Sequence, residues 1–102
     1  MTLGEYINIL EATNKTKLLP IGLDNPHSWR GDYFKLAFEP VENITVGEML
    51  EAAKSALGAT YEGYKGGEYT MHEDTSIHVD FKGRWSDGNE IWNLLLKFML
   101  YN

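Results

Sequence analysis

The chain has 102 residues, enough for one domain with its own apolar core, and no cysteine, which excludes a disulfide framework and thiolate metal sites. Fifteen acidic residues against nine basic give a net charge of −6; with two arginines, Arg30 and Arg84, and no lysine cluster, the chain lacks the basic face that a nucleic-acid groove binder needs. No apolar run reaches the roughly 20 residues that span a bilayer, and the N-terminal MTLGEYINIL, with Glu5 and no basic segment, does not read as a signal peptide.

Thr2 and Glu5 have capping-box spacing, and Leu3, Tyr6, Ile7 and Leu10 follow at i, i+3, i+4 and i+7. Together they predict a first helix over residues 2–13. LLPIGLDNPHSWRGD is loop-like, punctuated by Pro20, Gly22, Pro26 and Gly31. Within it, Leu18 to Leu23 reads as a short strand that Pro20 confines to a sheet edge. DYFKLAFEP is rich in aromatics and ends on Pro40, which predicts a strand over residues 32–39.

The second helix is predicted over residues 45–57. Thr45 and Glu48 repeat the capping box, Val46, Met49, Leu50, Ala53 and Leu57 form one apolar face, and Gly58 stands where a left-handed C-cap belongs. ATYEGYKGGEYTM offers short strands around a glycine pair. In SIHVDFKG, Ile77, Val79 and Phe81 alternate with His78, Asp80 and Lys82, the pattern of a half-buried strand. Asp87-Gly88 signals a hairpin, and a last strand is expected from Glu90 to Lys97. The expected architecture is α+β: one domain over residues 1–102, with two helices packed on one face of a four- to five-stranded antiparallel sheet. LLLKFMLY near the C-terminus must be buried somewhere, so a dimer or larger homo-oligomer is expected.

Two stretches carry candidate chemistry. In GYKGGEYT, the lysine precedes the glycine pair and no helix is predicted after it, so a Walker-type phosphate loop does not fit. A looser nest remains, with glycine N–H groups and Lys65 aimed at one cluster of oxygens; the alternative is a plain hairpin whose glycines supply positive φ. In PHSWRGDYF, the fork-shaped Arg30 suits phosphate or carboxylate, with a surface ion pair as the alternative. His72, Glu73, Asp74 and His78 lack zinc-site spacing, and no nucleophile elbow surrounds Ser28, so no metal, no cofactor and no enzyme activity is expected.

HSWRGDYFKLAFEP, followed by TVGEMLEAAKSALGATYEGYKGGEYTMHEDTSIHV, resembles a family of small uncharacterised bacteriophage proteins. The likeness covers roughly residues 27–80, and GYKGG is its specific part. The resemblance implies a phage protein acting in the cytoplasm of an infected cell against host defence. One such class is a sponge, an oligomer that sequesters a nucleotide-derived signal, of cyclic ADP-ribose type or a cyclic oligonucleotide, without cleaving it. Such a pocket takes an aromatic for the base, a cation for phosphate and small residues for close approach. Arg30, Tyr64, Lys65, Gly66, Gly67, Tyr69, Thr70 and Thr75 supply these types, and His27 and Ser28 stand beside Arg30. The alternatives are a protein-binding inhibitor of anti-CRISPR or anti-restriction type, and a small nucleotide hydrolase with His27, His72 or His78 as general base.

Overall fold

The computed structural model describes residues 1–28, 35–62 and 68–80. Its elements in chain order are α1 (Leu3–Glu11), β1 (Leu18–Ser28), β2 (Lys35–Thr45), α2 (Val46–Ala56), β3 (Thr60–Glu62), β4 (Glu68–Thr70) and β5 (Ser76–Val79).

Both helices begin where the sequence places their caps. The Thr2 hydroxyl accepts the Glu5 N–H at 3.2 Å, and the Glu5 carboxylate accepts the Thr2 N–H at 2.9 Å. That backbone hydrogen bond, reinforced by the Thr2 side chain, holds the exposed Glu5 carboxyl below the usual range. Thr45 and Glu48 repeat the arrangement at the start of α2. Gly58, at φ +81°, adopts the left-handed turn predicted for it and donates its N–H to Met71 O, which links the end of α2 to the segment after β4.

The apolar stripes of both helices meet one face of the sheet. Leu3, Tyr6 and Leu10 of α1, Met49 and Ala53 of α2, Leu36 and Phe38 of β2, and Ile77 and Val79 of β5 share one buried cluster. The Tyr6 and Phe38 rings lie 5.4 Å apart at 59°, a tilted aromatic pair in the middle of it. Gly22 brings β1 and α2 close: a Cβ there would fall 2.3 Å from Ile44 Cγ2 and 2.7 Å from Met49 Sδ.

The sheet corrects the expected architecture. Among the described residues it has three strands in the order β1-β2-β5, and it is mixed: β1 pairs with β2 antiparallel, whereas β5 runs parallel to β2. Strands β3 and β4 form a separate two-stranded antiparallel hairpin, so they do not add to the main sheet. The physical reason is the connection. Parallel neighbours need a long crossover, and α2 with the hairpin, residues 46–75, provides it. Alternation in SIHVDFKG fixes which side chains share a face but carries no information on strand direction.

Two strands also outrun their predicted ends. β1 continues from Leu23 to Ser28, through a stretch expected to be loop. β2 passes Pro40 to reach Thr45; β5 pairs with Lys35 to Phe38, so among the described residues Pro40 lies beyond the stretch where β2 is flanked on both sides. Pro20 sits in β1, which forms an edge of the described sheet, as its missing N–H demands. The Met1 carbonyl accepts the Ile77 N–H, and Leu3 donates to Thr75 O, which ties the start of α1 to β5. The Asp87-Gly88 turn and the strand expected from Glu90 to Lys97 lie outside the described residues. No helix among the described residues is long and apolar enough to cross a membrane.

Candidate functional site

A polar cluster forms at the end of β1, on the side of the strands that carries Ala37 and His78. Its origin is a slip in strand register. Asp24 faces Glu39, but the next pairs are His27 with Ala37 and Ser28 with Leu36. Asn25 and Pro26 therefore stand together opposite Phe38 alone, which is a β-bulge. Asn25 makes it feasible by adopting φ +49°, a left-handed backbone that asparagine tolerates. Its side-chain amide donates to Glu39 Oε2 at 3.0 Å and pins the bulge to β2.

The bulge decides where His27 points. Unbroken pairing from Asp24 and Glu39 would set His27 opposite Leu36, whose side chain belongs to the core. The extra residue moves it opposite Ala37, onto the polar face. In β5, His78 stands on the other side of Ala37, so His27, Ala37 and His78 make one row across three strands. Ala37 is fully buried and small, and the His27 ring extends past it to the chain just beyond β5. There His27 Nε2 lies 3.0 Å from Asp80 Oδ2. Its other nitrogen, Nδ1, lies 2.9 Å from the Asn25 carbonyl oxygen.

Both partners of the ring are acceptors. A carbonyl oxygen takes only a donor, and so does a carboxylate. Both contacts are satisfied together only when each ring nitrogen carries a hydrogen. The pair is partly open, with side-chain exposures of 37% for His27 and 20% for Asp80. Behind it His78 is buried, and its Nε2 lies 3.1 Å from Ser76 Oγ.

The expected site residues distribute as follows. His27 and Ser28 end β1. Thr75 immediately precedes β5, and Ser76 pairs with Lys35 while Ser28 pairs with Leu36, so Ser28 and Thr75 reach the same end of the sheet. Thr75 is buried and its hydroxyl is engaged, accepting the His72 N–H at 2.8 Å. Thr70 is exposed on β4, with its hydroxyl 3.2 Å from that of Thr60. Tyr69 pairs with Tyr61 across the same hairpin. Arg30, Tyr64, Lys65, Gly66 and Gly67 lie outside the described residues.

Sequence reading missed Asp80, Glu39 and Asn25. Asp80 is assigned there to the polar face of its strand, but nothing local ties it to a histidine more than fifty positions earlier. The available signal was Asp24-Asn25-Pro26: flanked by strand residues on both sides, it marks a bulge as well as a turn.

No family model matches this chain, and no curated protein or solved structure matches it.

Proposed function

We propose that this chain binds and sequesters a phosphate-bearing, nucleotide-derived signalling molecule, of cyclic ADP-ribose type or a cyclic oligonucleotide, without cleaving it. The proposal includes the phage anti-defence role and the homo-oligomer that the resemblance implies. The observation that carries it is the His27 arrangement. Each nitrogen of this half-open imidazole already faces an oxygen of the chain, so the ring is engaged by the fold and not aimed at a nucleophile, which favours holding a ligand over hydrolysing it. It also stands at the end of β1, three residues before Arg30 in the chain. The hairpin adds support: β3 and β4 pair Thr60 with Thr70, which makes residues 63–67, with Lys65 and the glycine pair, their connection. Backbone N–H groups in such a connection are the donors an anion uses.

A thermal-shift screen against cyclic oligonucleotides and ADP-ribose derivatives tests this. A ligand at 100 times its dissociation constant raises stability by about 2.7 kcal/mol. Arg30→Ala and Lys65→Ala should each remove the shift while leaving the unliganded melting point in place, and heating the complex should release the ligand intact. A chemically altered product would establish the hydrolase reading instead.

A protein-binding inhibitor is the second reading, and one observation favours it. Leu18 and Ile21 on β1 and Leu57 after α2 are large apolar side chains with 58%, 40% and 41% of their surface exposed. The absence of any ligand-induced shift, together with retention of a host protein during purification, would replace the first reading with this one.

A further inference from the structure

We propose that His27 is a protonation-gated clasp between the bulged end of β1 and the chain leaving β5. It is independent of any ligand. His27 Nδ1 faces the Asn25 carbonyl oxygen and Nε2 faces Asp80 Oδ2. An imidazolium has two N–H donors and meets both oxygens. A neutral imidazole has one, so its bare nitrogen opposes an oxygen lone pair and that contact opens. Loss of one proton to solvent therefore leaves the ring attached either to its own strand or to Asp80, but not to both.

The surroundings make the choice consequential. Ala37, between the two ends of the clasp, has no polar group that substitutes for either contact, and it is fully buried. The charged and titratable groups placed on this face by the register are Asp24 on β1, Lys35 and Glu39 on β2, and His78 and Asp80 on the β5 side. Glu39 is committed to the Asn25 amide and His78 to Ser76. Asn25, whose carbonyl is one end of the clasp, is also the left-handed residue that makes the bulge. Opening the Nδ1 contact frees the turn that sets Ser28 opposite Leu36. Opening the Nε2 contact unties the strand end from Asp80.

Nitrogen-15 NMR of the His27 ring in the intact chain, titrated between about pH 5 and about pH 8, tests the clasp over the range where histidine ordinarily changes charge. At the acid end both ring nitrogens should carry hydrogens. As one is lost, the backbone amides of Asn25, His27 and Asp80 should shift with the same midpoint as the ring. Asp80→Asn provides the control: a carboxamide presents both a donor and an acceptor, so it can meet Nε2 in either ring state. In that variant the ring should still titrate while the amide at position 80 stays still. A wild-type ring that titrates with those three amides unmoved overturns the clasp, as does a ring neutral throughout. An Asp80→Asn amide that moves as far as the wild type overturns the role given to Asp80.

Discussion

The His27 imidazole reaches Asp80 across an entire strand, with Nε2 3.0 Å from the carboxylate and Ala37 of β2 lying between. A polar contact this open to solvent contributes little on its own. A cycle of His27→Ala, Asp80→Ala and the double variant should return a coupling of roughly 0.5–1 kcal/mol in urea unfolding. A coupling near zero would mean that the two groups are neighbours without being partners.

The bulge yields a second expectation, in which backbone and side-chain effects separate. Asn25 holds φ +49° and its amide bonds Glu39. Asn25→Val puts a β-branched residue into left-handed backbone and loses the amide, so it should cost about 2 kcal/mol or more. Asn25→Gly loses the amide alone and should cost less, roughly 0.5–1.5 kcal/mol. Equal losses in the two variants would show that the backbone angle at Asn25 is not under strain.

The same bulge marks the limit of what the sequence makes legible. Local signals were sufficient for local structure. Thr2-Glu5 and Thr45-Glu48 start the two helices, Gly58 ends the second, and Pro20 finds a strand at an edge of the described sheet. What failed was non-local. The direction of β5 depends on a crossover over residues 46–75, and no period-2 pattern encodes it. The loop reading of residues 24–28 weighed Asp24, Asn25 and Pro26 as turn formers, but pairing with β2 on both sides of them outweighs that local preference. Asp80 was placed on the correct face and still missed as a partner, because His27 reaches that face only after the register slips.

Gly22 is where helix packing leaves no room. An added Cβ meets Ile44 Cγ2 at 2.3 Å and Met49 Sδ at 2.7 Å. Met49 is long and flexible and can yield, but Ile44 is β-branched and stiff at χ1. Gly22→Ala should therefore lower stability by about 1–3 kcal/mol, through overpacking between β1 and α2. The combination Gly22→Ala with Ile44→Val should recover part of the loss if the branched residue is the obstacle. Denaturant unfolding of the three variants measures it.

Tyr6 sets the behaviour in alkali. Its ring is fully buried, and its hydroxyl is the buried side-chain oxygen without a hydrogen-bond partner among the described residues. Burial, with a smaller contribution from the Asp24 charge, pushes the phenol far above its usual value of 10.0. The folded chain therefore keeps this proton at pH values where the unfolded chain releases it. The contribution of Tyr6 to stability is fully present below about pH 10 and is lost progressively as the pH rises beyond that point. Tyr6→Phe should remove this part of the alkaline decline. At neutral pH the same substitution discards a hydroxyl that is buried without compensation, so it should leave stability unchanged or raise it by up to about 1 kcal/mol. Urea unfolding of both chains at neutral pH and above pH 10 separates the two effects. A marked neutral-pH loss in Tyr6→Phe would show that the hydroxyl has a partner after all.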